Sequence, residues 1–162
     1  FQMLNRGVHM DNNENNFLPL VNYNFYLRVD GKYDLPCKSI HSFEYMNEFE
    51  YIREGGLNDY VHIRRKPVTK PHTFQVERYV GMESEDYLAS GRQFVMPILL
   101  FVNRNQTAVN KADKPCRTYV FIGCTVVGKT YNHLDAQQSG LVTETITIAY
   151  QQLLCLDDRE AE

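Results

Sequence analysis

The sequence predicts a mainly β fold, on three observations. Apolar residues recur at every second position over several stretches, Gly, Pro, Asn and Asp separate those stretches, and only one short segment carries helix signals. The expected architecture is a single-domain β-barrel or sandwich with one short α-helix and a long protruding β-hairpin. The chain's 162 residues suffice for one domain with a real core. Hydrophobic residues make up 43% and charged residues 23%, a globular composition rather than a disordered one.

Residues 1–20 are set apart as an N-terminal extension, residues 21–156 as the folded domain and residues 157–162 as an acidic tail. The first ten residues, FQMLNRGVHM, lack a basic region followed by an apolar stretch, so they do not read as a secretory signal. Met10 is a candidate natural start, and DNNENNFLPL is a polar lead-in. Then Tyr23, Phe25, Leu27 and Val29 alternate with Asn22, Asn24 and Arg28, a half-buried strand. Asp30-Gly31 marks a turn. A long strand is expected from Lys38 to Arg53, with Phe43, Tyr45, Phe49 and Tyr51 on one face and Glu44, Glu48 and Glu50 on the other. Its partner, Tyr60 to Lys66, places His62, Arg64 and Lys66 on one face, where they pair across to the glutamates.

Pro67 and Pro71 bracket a connection, after which Phe74, Val76 and Val80 alternate with Gln75, Glu77 and Tyr79. The short helix is expected next, with Ser84 as cap, Glu85 and Asp86 at its amino end and Gly91 as its stop. Phe94 to Val102 reads as a buried strand, with Pro97 marking an edge or bulge. Asn103 to Pro115 is a polar turn region, and Arg117 to Val127 is a single β-branched run. Val142, Ile146, Ile148 and Tyr150 alternate with Thr143, Thr145, Thr147 and Gln151 in a closing strand.

Composition excludes several functions. A net charge of −3 argues against a general phosphate-binding surface. No run of 18 apolar residues is present, so no helix inserts into a membrane. Cys37, Cys116, Cys124 and Cys155 form no CxxC pair, and the five histidines show no i, i+4 spacing, so no metal or cofactor is expected. The thiols read as buried and free, as in a reducing cytoplasm. Gly123 to Thr130 matches GxxxxGK[ST], and Leu153 to Asp158 imitates its acidic, magnesium-binding partner. A phosphate loop needs a helix directly after it, whereas Thr125, Val126 and Val127 continue a strand. A nucleotide-binding enzyme is therefore the lesser alternative. Glu44, Glu48 and Glu50 lack the contrasting environments of a hydrolase acid and base, and read as a solvated strand face.

The segment Glu50-Tyr-Ile-Arg53-Glu54-Gly55-Gly56-Leu57-Asn58-Asp59-Tyr60-Val61 joins the two charged strands. Gly55-Gly56 permits positive φ and Asn58-Asp59 favours a turn, so composition alone gives a plain surface hairpin. The literal string resembles the YREGG-ND-V segment of the inner tail-tube proteins of contractile phages and phage-tail-like contractile injection systems. YNFYLRVDG (23–31) is similar to that family's opening strand, Lys66 to Arg78 with Gly81 to its following stretch, and LVTETITIAYQQL (141–153) to its closing strand.

The resemblance implies a non-enzymatic structural subunit. Six copies would form a ring, and rings would stack into a hollow tube that passes cargo or DNA without sequence recognition. It implies ring-stacking contacts at Arg53, Glu54, Gly55, Gly56, Leu57, Asn58 and Asp59. A lumen-facing or inter-strand charged face would comprise Glu44, Glu48, Glu50, Arg64 and Lys66. Partners would be further copies of the chain, a sheath protein, and baseplate or tube-initiator proteins. Assembly would take place in the bacterial cytoplasm before the subunit joins a phage tail or injection particle. Relatives carry tryptophan near the helix and this chain has none, which leaves open a tube-initiating paralogue at the baseplate.

Overall fold

The alternating segments fold into two facing antiparallel sheets and a separate ribbon. The computed structural model describes residues 25–53, 55–56, 60–81, 86–103 and 117–157. Within them the strands are β1 (Phe25–Val29), β2 (Tyr33–Leu35), β3 (Ser39–Ile40), β4 (Phe49–Ile52), β5 (His62–Arg65) and β6 (His72–Tyr79). They continue with β7 (Ile98–Val102), β8 (Arg117–Ile122), β9 (Thr125–Tyr131), β10 (Thr143–Tyr150) and β11 (Gln152–Asp157). One sheet runs β11-β8-β7-β1-β2, a second β3-β6-β10-β9, and β4-β5 stand alone as a two-stranded ribbon. Neither large sheet closes on itself among the described residues, so the sandwich form of the expected architecture holds and the closed barrel does not.

The core follows from period two. Leu27 and Val29 of β1, Ile98 and Leu100 of β7 and Phe121 of β8 point inward from the five-stranded sheet. Phe74 and Val76 of β6 and Ile146, Ile148 and Tyr150 of β10 point inward from the four-stranded one. The sheets meet where Phe74 stacks on Phe121, ring centroids 4.3 Å apart, and Tyr150 meets Phe121 edge-on at 5.0 Å. Asp30-Gly31 makes the predicted turn. Both residues take positive φ (51° and 69°), which Asp tolerates and Gly takes freely.

The two outer faces differ in chemistry. Cross-strand rows on the five-stranded sheet read Tyr26–Phe101–Thr118–Leu156 and Asp34–Arg28–Leu99–Val120–Leu154, with Arg28 and Asp34 ion-paired at one edge. These rows are mostly apolar. Rows on the four-stranded sheet read Glu77–Thr145–Thr130 and Gln75–Thr147–Gly128. Glu77 there is neutralised by Lys38 at 2.9 Å.

Several expected boundaries moved. The short helix is absent among the described residues. Ser84 and Glu85 lie outside them, and 86–91 forms turns. Its end and the chain just after it pair with the start of β9 and the residue before it: Gly91 N–H donates to Val126 O, Val126 N–H to Arg92 O and Phe94 N–H to Cys124 O. Gly91 takes a φ of 84°, as a chain reversal requires. The expected long strand from Lys38 breaks after β3, because 41–48 turns away from the sheet to carry the ribbon. Pro97 precedes β7 instead of interrupting it, consistent with its missing N–H. The run Arg117–Val127 splits at Gly123, where the chain crosses from one sheet to the other. A second crossing, at Gln151, divides the closing strand into β10 and β11.

Gly123 has a φ of 67°, and a Cβ there would lie 2.5 Å from the Gln151 side-chain oxygen. Gly123→Ala is expected to destabilise the fold by about 1–2 kcal/mol, the cost of left-handed backbone for a residue with a Cβ. Urea unfolding checks this, since the midpoint should fall with no change in slope.

Candidate assembly interface

The ribbon is built from direct cross-strand pairs: Phe49 faces Arg65, Glu50 faces Arg64, Tyr51 faces Ile63 and Ile52 faces His62. Paired residues share a face and successive pairs alternate. One face therefore presents Phe49, Tyr51, Ile63 and Arg65, and the other Glu50, Arg64, Ile52 and His62. The predicted charge pairing is present, with Arg64 Nε 3.4 Å from Glu50 Oε1. Both side chains are substantially exposed, so the pair sets register more than stability. Glu48 and Lys66 meet through the backbone, Lys66 N–H donating to Glu48 O at 2.8 Å. Glu44 sits further back, against the sandwich, and does not join them.

The exposed apolar residues are the decisive feature. Tyr51 is 73% exposed, Ile63 68% and Phe49 47%. A two-stranded ribbon is marginal in water by itself, and this one pairs with no third strand among the described residues. At the tip, Arg53, Gly55 and Gly56 are exposed, and Gly56 takes the positive φ (105°) expected of it. Glu54, Leu57, Asn58 and Asp59 lie outside the described residues.

Three successive residues moor the ribbon's outgoing arm. Phe43 packs edge-on against Tyr119 and Phe121, at 5.0 and 5.2 Å. Glu44 N–H donates to the Tyr150 hydroxyl at 3.2 Å, and that hydroxyl donates back to Glu44 O. Tyr45 lies against His72, 5.5 Å between centroids. Alternation put Tyr150 inside, but nothing in the sequence signalled that its hydroxyl binds a residue 106 positions away.

The phosphate-loop match dissolves in the fold. Thr125 to Thr130 belongs to β9, and no helix follows it. Gly123 serves the sheet crossing, and Gly128 flanks a bulge at Val127, where the β9–β10 register shifts. The Lys129 side chain is only 7% exposed, turned inward to Asp86 and Glu144. Glu144 also takes Arg78 Nε at 2.6 Å. The imitation of an acidic partner, Leu153–Asp157, lies in β11 on the other sheet. Of the thiols, Cys37 and Cys124 are each pushed up to about 11 by burial, while Cys155 is exposed, unlike the expectation. Cys116 lies outside the described residues.

No family model matches this chain, and no curated protein does. Solved structures do share its fold. A chain from the sheath/tube terminator of an extracellular contractile injection system, PVC, in the extended state superposes with a TM-score of 0.69 at 14% identity. The match covers 86% of this chain and 97% of that one. A chain of the anti-feeding prophage (AFP) baseplate, six-fold symmetrised, gives 0.64 at 18% identity over 86% and 97%. A chain from the extended PVC sheath–tube complex gives 0.64 at 14% over 86% and 92%. The chain thus shares its fold with chains of contractile injection particles, in line with the tail-tube resemblance read from its strands.

Proposed function

We propose that the chain is a structural subunit of the inner tube of a contractile injection machine. In this reading six copies form a ring and rings stack around a hollow lumen that passes cargo or DNA. The carrying observation is the exposed apolar ribbon, which needs a partner surface, beside a sandwich whose outer strands β2, β3 and β11 are strand-paired on one side only among the described residues. Edge-to-edge pairing closed into a ring satisfies those edges. The tip, Arg53 to Asp59, contacts the next ring. The Glu44, Glu48, Glu50, Arg64 and Lys66 set serves as the inter-strand charged face of the ribbon. The threonine-rich outer face of β6-β10-β9 faces the lumen, where a neutral hydroxylated wall holds no cargo tightly. The apolar outer face of the five-stranded sheet turns toward neighbouring protein. Partners are further copies, a sheath protein and baseplate proteins, in a particle assembled in the bacterial cytoplasm.

Negative-stain microscopy of the purified protein tests this reading. Rings or tubes are expected, and a monodisperse monomer at high concentration overturns it. Arg53→Glu is expected to block stacking while leaving thermal stability within about 0.5 kcal/mol, as exposed positions do. Tubes of normal length from that variant would remove the tip from the contact.

A second reading draws on the terminator and baseplate likenesses. The chain then sits at one end of the tube, as an initiator or a cap. Copy number in purified particles separates the two, one or a few rings against many.

A further inference from the structure

We propose that the Tyr150 hydroxyl is a positioning group that fixes the direction in which the β4-β5 ribbon leaves the sandwich. The proposal rests on the reading of that ribbon as an assembly contact, but its first test does not depend on assembly. Tyr150 is the last residue of β10 and is fully buried, its ring held by Phe74 and Phe121. Its hydroxyl spends both its donor and an acceptor site on the backbone of one residue, Glu44. Burial raises the phenol above its ordinary range, which keeps the proton needed for donation.

Glu44 lies where the outgoing arm would otherwise swing freely. Residues 41–48 form no strand, and β4 begins only at Phe49. On the returning side, β6 begins at His72, whose direct cross-strand partner is Tyr150. One residue of the rigid core thus touches both roots of the ribbon: the outgoing arm through two hydrogen bonds, the returning arm through strand pairing. Fixing both roots removes the hinge freedom that would otherwise be lost on assembly, and preorganisation of this kind strengthens association without adding a contact to the interface.

The side chain divides into two roles. The ring belongs to the core, and the hydroxyl belongs to the ribbon. Tyr150→Phe separates them, because it keeps the ring and deletes both hydrogen bonds. Hydrogen exchange on the full-length, unassembled variant should show amides of β4 and β5 exchanging about tenfold faster, the scale of two ordinary hydrogen bonds lost. Amides in the centres of β6 and β10 should change far less. Unchanged exchange in the ribbon overturns the proposal.

If Tyr150→Phe loosens the whole molecule, Glu44→Pro provides the second test. It removes the donating N–H from the arm and leaves the Tyr150 ring and hydroxyl unchanged. Faster exchange confined to the ribbon supports the positioning role, and exchange equal to wild type overturns it. Tube formation is then compared between the variants and wild type. Faster ribbon exchange with shorter or fewer tubes supports the proposal in full. Faster ribbon exchange with normal tubes upholds the positioning role and counts against the ribbon as the ring contact.

Discussion

Tyr51→Ser combined with Ile63→Ser yields a folded protein that forms no tubes. The two residues are direct cross-strand partners at the centre of the ribbon's apolar face, 73% and 68% exposed in the single chain. Their loss therefore costs the monomer little, because surface changes of this kind stay within roughly 0.5 kcal/mol. On the proposed ring contact the same side chains would be buried, each worth about 1.5–3 kcal/mol. Losing both weakens every contact by about a hundredfold or more, since each 1.4 kcal/mol is a factor of ten. A closed ring or a stack repeats that loss at each subunit. The measurement is paired: thermal melting for the monomer, and sedimentation with microscopy for assembly. Normal tubes would mean that the apolar face meets nothing, and a collapsed melting temperature would mean that it serves the monomer's own core.

Much of the fold was legible because burial at period two leaves its mark in composition. Leu27, Val29, Phe74, Val76, Ile146 and Ile148 were all placed inward by alternation, and all are essentially inaccessible. Asp30-Gly31 was readable because few residues tolerate two successive positive φ angles. That the ribbon's basic face would meet its glutamates was readable from alternation, while the particular pair, Glu50 with Arg64, was set by a register the sequence did not specify. The breaks were not readable. A β-branched run looks alike whether it stays in one sheet or crosses to another, and Gly123 alone marked the crossing. The helix signals at Asp86 and Gly91 were real local preferences. They lost to tertiary contacts, Gly91 bonding to β9 and Asp86 to Arg78 and Lys129, an outcome local propensity does not encode. Long-range pairs such as Tyr150 with Glu44, or Lys129 with Asp86, leave no trace in spacing.

The Lys129 network carries the second large effect. Glu144 lies on the inward face of β10 with a side chain only 6% exposed, an acidic residue among apolar neighbours. It is tolerable there because Arg78, its direct cross-strand partner, is 2.6 Å away and Lys129 lies at 3.8 Å. Asp86 closes the square, taking Arg78 Nη2 at 2.9 Å and hydrogen bonding to Lys129. Glu144→Gln keeps the shape and removes the central negative charge, so two largely buried cations share one half-exposed carboxylate. Breaking a buried pair in this way costs about 3–5 kcal/mol. The double change Arg78→Met with Glu144→Leu should recover most of that loss, because a packed apolar pair carries no desolvation penalty. Urea unfolding of Arg78→Met, Glu144→Leu and the double completes the cycle, with Glu144→Gln measured beside it, and a double variant as unstable as Glu144→Gln would show that the cost is packing, not charge. Acid should weaken the same square. Burial pushes the Asp86 carboxyl up, but Lys129, the Leu88 amide and Arg78 outweigh it and hold it below its usual range. Its folded-state value lies below the unfolded one, so its stabilisation is complete above the unfolded value and is lost as pH falls through the folded value. An Asp86→Asn variant should therefore start less stable at neutral pH and lose less on acidification than the wild type. Parallel acid titrations of the two proteins check this, and equal losses on acidification would show that Asp86 contributes nothing to the square.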